Sequence, residues 1–448
     1  MSFQESSPKP SKPTKLLIIT SSGGGGLLQA AVAKEQEAKA NDPTVQIVKR
    51  DVLKDWVWKR LGRFSIFYWN GAQRRGLVKA QLFIVQFQWL FELFSWPAFF
   101  YKTLKILYKE NIDRVIDTQV MGTSAILKAI RLFNRKMGKN VVLEKIVVDL
   151  PTKKATHCFR PIKNLSRKDK KILKLTTIAP LLEEGQSAEE FWQENCGLSE
   201  GEIYYEGLTV RQNFRKLTGK KRSPHSISLP IRFKNQEELQ LMNQCLERGS
   251  IRNQVKGKEI HLTIHPEDRV FTILLGSQPA NEATLTYVKK FISLAKEAEE
   301  LKIPSHLFVF CSDMSDKDSL FGKVVDLVVN AKSYPKYFSV IPFSFQTDDV
   351  IAPLFHRSDL TCTRSGGQTA MELMAVSTGE IWIHSEAKRK ENEMTLEDLL
   401  GGIPAWEGAS ALYLKKFRGA KIVTPETFIP YARRHFQASP IRALESTA

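Results

Sequence analysis

Short, nearly continuous apolar segments recur along the whole chain, and each leads into a stretch with helical spacing of apolar residues. Such strands are typical of parallel sheets that are covered by helices on both faces. One series occupies the first half of the chain: KLLIIT, VQIV, RVIDTQ and EKIVVDL. A second series occupies the second half: RVFTILLG, SHLFVFCS, YFSVIPF, DLTCTR, EIWIHS and KIVTP. Two series predict two doubly wound α/β domains.

The chain length agrees with this division, because 448 residues are too many for a single core. Polar, Pro-rich residues 1–14 are expected to form a disordered lead without a signal peptide. The ranges that follow are predicted as an N-terminal domain (15–214), a basic linker or insertion (215–257), a C-terminal domain (258–425) and a final helix and tail (426–448).

The formal net charge of +18 favours an anionic partner: a nucleic acid, an acidic lipid surface or a phosphorylated ligand. A solvated surface that is merely basic is the alternative. We expect no nucleic-acid binding, because the Lys-rich stretch 163–174 has no interleaved aromatic residues. The chain has no HExxH motif and no DxD motif before a candidate phosphate-binding loop, so no metal site is expected. Five cysteines without paired spacing are expected to be free core thiols in a reducing compartment: Cys158, Cys196, Cys245, Cys311 and Cys362.

Aromatic residues are concentrated in residues 64–109 and are flanked by Arg and Lys. Gln81, Gln86, Gln88 and Glu92 interrupt the segment, so it is not a clean transmembrane span. Trp and Phe beside cations are typical of a helix that lies among lipid headgroups. The segment therefore predicts contact with an anionic membrane surface, and a buried core helix is the alternative.

A run of four glycines, Gly23, Gly24, Gly25 and Gly26, separates the first strand from the first helix. Such a loop can present backbone N–H groups to an anion at a helix N-terminus. A dinucleotide-binding loop needs a third glycine where Leu28 stands, although Asp51 keeps that alternative open.

The second half offers three more loops before helices. The N–H groups and hydroxyls of the first two suit a diphosphate, and the third could stack and hydrogen-bond a sugar ring. Their candidate ligand-binding residues are Gly276, Ser277 and Gln278, then Arg364, Ser365, Gly366, Gly367, Gln368, Thr369 and Glu372, and finally Trp406 and Glu407. A carboxylate one turn into a helix can accept hydrogen bonds from a ribose diol, which is the role expected of Glu372. Simple turn geometry is the alternative for Gly276 and Gly366, and a first-turn acid favoured by the helix dipole is the alternative for Glu372.

The order of these segments resembles a group of GT-B glycosyltransferases. That group contains the peptidoglycan enzyme that adds N-acetylglucosamine to lipid I and the plant monogalactosyldiacylglycerol synthases. The matching segments are SSGGGG (21–26), VDLPT (148–152), GLTVRQNF (207–214), LGSQPA (275–280), RSGGQTAME (364–372) and WEGASA (406–411). The group's counterparts are a GGGH-type loop, TDL, GLPVRPSF, GGSQGA, RSGALTVSE and QExxNA or QQxxNA.

The resemblance implies two Rossmann-like domains that face each other across a cleft. It further implies an inverting transfer of a sugar from a UDP-sugar to a hydroxyl of a lipid or lipid-linked acceptor, with no obligatory cofactor or metal. Ser277 and Gln278 would contact the diphosphate, Glu372 the ribose, and Trp406 and Glu407 the sugar. We expect a cytoplasmic protein that lies on the cytosolic face of a membrane.

The resemblance fails at two places that matter for catalysis. Gly26 stands where the family's loop ends in His, and a glycine cannot accept the acceptor's proton. Trp406 and Ser410 replace the family's Gln and Asn, so the sugar is not identified. Asp149 is the first candidate for the missing base and His157 the second. The alternatives are an acceptor acidic enough to need less help, and a catalytically lapsed protein that binds nucleotide sugar as a sensor or scaffold.

Overall fold

The computed structural model describes residues 13–57, 59–312, 318–388 and 394–437. The first domain is built on six parallel strands in the order β2-β1-β3-β4-β5-β6. These strands are β1 (Lys15–Thr20), β2 (Gln46–Asp51), β3 (Arg114–Asp117), β4 (Leu143–Ile146), β5 (Leu173–Thr177) and β6 (Ile203–Tyr205). The central strands are buried on both faces, as the continuous apolar run of β1 predicts.

Nine helices belong to the described part of this domain. They are α1 (Gly25–Asn41), α2 (Lys59–Arg74), α3 (Val78–Gln86), α4 (Gln88–Glu110), α5 (Thr123–Met137), α6 (Arg160–Lys163), α7 (Arg167–Lys170), α8 (Ala188–Cys196) and α9 (Gln212–Leu217). A π-helical turn covers Val52–Trp56, and 3-10 turns cover Lys153–Cys158 and Glu200–Glu202. We call α2, α3 and α4 the aromatic helices, because they contain the aromatic segment 64–109.

The range 215–257, predicted as a linker or insertion, contains regular structure. Strands β7 (Ile227–Arg232), β8 (Arg252–Lys256) and β9 (Glu259–Ile264) form an antiparallel sheet in the order β7-β9-β8, with helix α10 (Gln236–Arg248) between β7 and β8. Strand β9 alternates, and its buried residues Ile260, Leu262 and Ile264 pack into the core of the second domain. The small sheet is therefore an extension of that domain.

The second domain has a parallel sheet in the order β12-β11-β10-β13-β14-β15. Its strands are β10 (Arg269–Leu274), β11 (Ser305–Phe310), β12 (Phe338–Phe343), β13 (Leu360–Thr363), β14 (Glu380–His384) and β15 (Lys421–Val423). Its helices are α11 (Asn281–Glu297), α12 (Leu320–Val329), α13 (Asp348–Arg357), α14 (Gly367–Val376), α15 (Leu396–Gly401), α16 (Ala405–Arg418) and α17 (Ile429–Gln437), with a 3-10 turn at Glu299–Leu301.

Both sheets reverse their winding direction at one point, between β1 and β3 in the first and between β10 and β13 in the second. Loops that leave the carboxyl ends of strands at such a point form the ligand crevice of open α/β sheets. The glycine run follows β1, and the two principal donor loops follow β10 and β13. The predicted fold class, two doubly wound Rossmann-like domains facing across a cleft, is confirmed.

The remaining sequence expectations concern the ends of the chain, its cysteines and the absence of a membrane-spanning helix. Residues 1–12 and 438–448 lie outside the described residues, which leaves most of the predicted lead and the tail untested. All five cysteines are buried and free, as predicted. Among the described residues, none of the helices has the length and apolarity needed to cross a bilayer.

Candidate functional site

A cavity of about 1190 Å³ lies between the two domains. The glycine run after β1, the loops after β10 and β13, and the first turn of α16 contribute to its walls. The aromatic helices contribute a further wall. Of the predicted donor-binding residues, all but Ser365 line this cavity. The sequence therefore located residues that the fold brings together around one space.

The glycines allow the two domains to approach each other closely. A Cβ atom at Gly25 would lie 2.6 Å from the Cβ of Ser277, and one at Gly367 would lie 2.1 Å from the carbonyl oxygen of Val148. Gly276 has a φ of +87°, a left-handed conformation that side chains disfavour. Close contact between domains is thus one physical reason for these glycines, beside any role in binding an anion.

Glu372 has its carboxylate held by the first domain. Arg211 Nε donates to Glu372 Oε1 at 2.7 Å and Arg211 Nη2 donates to Oε2 at 2.9 Å, and both side chains are buried. Gln368 Nε2 donates to Oε1 as well, at 3.1 Å. A carboxylate has about four acceptor positions, so Oε2 keeps one position that these hydrogen bonds do not use. No role was predicted for Arg211, although it lies in the matching segment GLTVRQNF (207–214).

The second carboxylate expected to contact the donor also has an internal partner. Glu407 accepts from Arg364 Nε at 3.1 Å and from Arg364 Nη2 at 3.3 Å. Arg364 Nη2 also donates to Oε1 of Gln81, a buried residue of α3, at 3.3 Å. Ser365 donates to the carbonyl oxygen of Glu407 at 2.7 Å, which explains why it supports the loop without lining the cavity. The two loops are therefore fixed to each other and to the aromatic helices.

The aromatic helices contact the donor loops at two more places. Trp69 stacks on Trp406 with 6.0 Å between the ring centroids and an interplanar angle of 24°. Arg74 Nε donates to Gln278 Oε1 at 2.7 Å. Trp69 and Arg74 belong to α2, which thus reaches from the first domain to the second. One face of the Trp406 ring is covered by the indole of Trp69.

Many aromatic residues of the aromatic helices are exposed, and several of them line the cavity. Phe67 and Phe94 are 74% and 78% exposed, which is unusual for phenylalanine. Further exposed residues of these helices and of the short connections between them are Phe64, Tyr68, Leu77, Leu82, Phe83, Phe87, Trp89, Leu93, Tyr101 and Tyr108. Helix α4 packs by the face that carries Phe99 and Leu107, both fully buried. The segment is thus neither wholly core nor wholly surface.

Asp149 and His157 meet at the wall of the cavity beside the glycine run. Their Oδ2 and Nε2 atoms are 3.4 Å apart, and both residues line the cavity. Val148, the neighbour of Asp149, would lie 3.6 Å from a Cβ atom at Gly26. The residue before Asp149 therefore contacts the position where the resembling family has its histidine, and both candidate bases line the same cavity as Gly26.

Cys158 is a member of this cluster that the sequence analysis treated only as a core thiol. Its Sγ lies 3.3 Å from Asp149 Oδ2 and 3.3 Å from His157 Nε2. Burial raises the pKa of the Cys158 thiol well above its usual value, and the neighbouring Asp149 raises it further. The sequence signal for membership in this cluster was the position of Cys158 directly after His157, on the 3-10 turn Lys153–Cys158.

No family model matches this chain, and no curated protein matches it. Its structural similarities include MurG of Acinetobacter baumannii (12% identity, TM-score 0.40, 96% of this chain and 94% of that one). They also include UDP-GlcNAc 2-epimerase of Methanocaldococcus jannaschii (13% identity, TM-score 0.42, 96% and 92%) and the glycosyltransferase SnogD of Streptomyces nogalater (10% identity, TM-score 0.40, 97% and 99%). Identities and TM-scores this low show no family membership, so the function has to be inferred from the site itself.

Proposed function

We propose that this protein is an inverting glycosyltransferase that moves a sugar from a UDP-sugar to a hydroxyl of a lipid or lipid-linked acceptor at a membrane surface. One observation carries the proposal. A single cavity of about 1190 Å³ has both the polar loops suited to a nucleotide sugar and the exposed aromatic helices suited to a lipid on its walls. Such a space can hold both substrates of the transfer at once.

The donor side of the cavity suits a diphosphate. The first residues of α1, α14 and α16 all line it, and helix N-termini stabilise anions through free N–H groups and the helix dipole. Arg211 and Arg364 lie at the same wall, each paired with a carboxylate, and can still direct N–H groups toward a diphosphate. Their carboxylate partners fix both guanidinium groups in place, so little reorganisation is needed when a diphosphate arrives.

The acceptor side has the pair that would activate the hydroxyl. In the proposed step, Asp149, paired with His157, accepts the hydroxyl proton, and the oxygen forms a bond to the anomeric carbon. The bond from that carbon to the diphosphate breaks on the opposite face, and its electron pair leaves with UDP. The donors at the helix N-termini would stabilise the charge that develops on the leaving group.

The exposed aromatic face is proposed to dock on the cytosolic face of a membrane. Amphipathic helices of this kind insert aromatic side chains at headgroup depth, and the net charge of +18 favours anionic lipid. Docking there would place the mouth of the cavity at the bilayer, since Phe67 and Phe83 are both exposed and part of its lining. A lipid headgroup could then enter without leaving the membrane.

A second candidate function is a sensor or scaffold that binds nucleotide sugar without turnover. Two observations favour it: Gly26 cannot act as a base, and Glu372, Glu407 and Gln278 already have intramolecular partners. A protein of this kind would keep the donor site and lack transfer.

Titration with UDP, followed by incubation with a panel of UDP-sugars and anionic vesicles containing diacylglycerol, separates these functions. Mass spectrometry of the lipid fraction identifies the product. A new glycolipid supports the enzyme, whereas UDP binding without glycolipid or free sugar supports the sensor. Absence of UDP binding at millimolar concentration contradicts both.

A further inference from the structure

Asp149, His157 and Cys158 place three different metal-ligating atoms at the corners of a nearly equilateral triangle. The distances are 3.4 Å from Asp149 Oδ2 to His157 Nε2, 3.3 Å from Cys158 Sγ to Asp149 Oδ2, and 3.3 Å from Cys158 Sγ to His157 Nε2. This is the one such group of three among the described residues.

Hydrogen bonding does not account for all three contacts. The thiol and the imidazole nitrogen can each donate one hydrogen to the carboxylate oxygen, and the contact between sulfur and nitrogen is then left without one. A zinc ion accounts for all three. With bonds of about 2.3 Å to sulfur and about 2.0–2.2 Å to nitrogen and oxygen, the ligand atoms of a tetrahedral site are roughly 3.3–3.6 Å apart.

We propose that Asp149, His157 and Cys158 form a Zn²⁺ site with one open coordination position. Carboxylate, imidazole and thiolate together form a mixed donor set that suits zinc, and three protein ligands with a free fourth position are typical of catalytic zinc sites. The proposal departs from the sequence-based expectation of a chain without a metal site.

The surroundings make the three side chains available to an ion. Cys158 and His157 are neighbours on one 3-10 turn, and Asp149 follows strand β4, so two separate segments clamp the position. Zinc would displace the thiol proton of Cys158 on binding, as it does at other cysteine sites.

The open position is accessible from the interdomain cavity. Asp149 and His157 line that cavity, and Asp149 and Cys158 line a small adjoining pocket, so the ion would lie at the wall between the two. Water or a hydroxyl oxygen would be the fourth ligand. This step rests on the proposed function and replaces its base: with Asp149 and His157 bound to the ion, a coordinated acceptor hydroxyl would lose its proton to water in the cavity, because Zn²⁺ lowers the pKa of coordinated water to about 7. Because Gly26 cannot act as a base, another group has to activate the hydroxyl.

Metal analysis of the purified full-length chain tests the site directly. After dialysis against metal-free buffer, we expect about one zinc ion per chain by inductively coupled plasma mass spectrometry. Cys158→Ser and His157→Gln should each lose most of it. Cys196→Ser is the matched control, because Cys196 is a buried cysteine of the same domain outside the cluster. Zinc retained equally by Cys158→Ser would overturn the proposal, as would a wild-type chain that binds no added zinc.

Cobalt substitution gives a second test that needs no variant and so does not depend on how a variant folds. Wild-type protein loaded with Co²⁺ should show a thiolate-to-cobalt charge-transfer band in the near ultraviolet, and its absence would overturn the site. Both measurements omit nucleotide. Failure to bind zinc with UDP binding intact therefore refutes the metal site alone, whereas failure to bind UDP with zinc intact refutes the proposed function.

Discussion

Arg211 and Glu372 form a buried, two-hydrogen-bond ion pair that joins the end of the first domain to helix α14 of the second, with N–O distances of 2.7 and 2.9 Å. The residues are 161 positions apart in the chain. The same carboxylate is the proposed ribose ligand, so nucleotide binding and domain arrangement depend on one side chain.

Glu372→Ala should lower the free energy of unfolding by about 3–5 kcal/mol, because it leaves the buried Arg211 guanidinium unpaired. Urea denaturation measures the change. Glu297→Ala is the control, since Glu297 pairs with Arg433 at the surface, and it should cost at most about 1 kcal/mol. The double change Arg211→Met and Glu372→Met should recover much of the loss. A Glu372→Ala protein as stable as the control would contradict the buried pair.

Gly25→Ala should separate the two domains locally, because its Cβ atom would lie 2.6 Å from that of Ser277. We expect a loss of about 1–3 kcal/mol in stability and weaker UDP binding. Gly24→Ala is the matched control, as the nearest atom to its Cβ, in Leu27, is 3.8 Å away. Thermal unfolding and UDP titration of both proteins give the comparison. Equal behaviour of the two variants would show that the domains do not meet at Gly25.

The double change Phe94→Gln and Tyr101→Gln should weaken binding to anionic vesicles roughly 10- to 100-fold, because two aromatic groups no longer enter the interface. Flotation of the full chain with vesicles measures binding. Tyr204→Gln and Phe417→Gln together are the control, since both aromatic residues are exposed outside the aromatic helices. Equal loss in the control pair, or none in the first pair, would exclude the aromatic helices as the docking surface.

Asp149→Asn should reduce sugar transfer about 100- to 10,000-fold, the usual contribution of a group that activates a hydroxyl. The Kd for UDP should stay the same, because Asp149 lies outside the donor loops. Adding Gly26→His to the Asp149→Asn variant should recover part of the rate. A Cβ atom at Gly26 fits there, because its nearest contacts, to Gln368 and Val148, are 3.4 and 3.6 Å. Unchanged transfer in Asp149→Asn would remove Asp149 from the reaction.

Sequence patterns predicted strands β1 to β4 and β10 to β15, most of which are short apolar runs, but not β5 (LKLTT) or β6 (IYY). Strand β8, with the sequence RNQVK, is instead mostly polar and exposed along its whole length, so no periodicity marks it. Strand β9 alternates regularly and lies just inside the range predicted as the C-terminal domain, but it was not among the predicted strands. The structure of this region comes from packing on the second domain, which local sequence does not reveal.

The positions of the donor loops were predictable because glycines and strand ends have local signatures. Their partners were not predictable in the same way. Gln278 is 204 residues from Arg74, and Arg364 is 283 residues from Gln81. Such contacts depend on how the domains and the aromatic helices are arranged, and no spacing in the sequence encodes that arrangement.

The most direct test of the account is a calorimetric titration of UDP into the wild-type chain, Gly366→Glu and Gly366→Gln. A Cβ atom at Gly366 meets no atom within 4 Å, so either side chain fits at the start of α14. The account predicts sub-millimolar binding to the wild type and to Gly366→Gln, and none to Gly366→Glu, whose carboxylate repels the diphosphate. Equal affinity of the Glu and Gln variants, or a wild-type chain that binds no UDP, would contradict it.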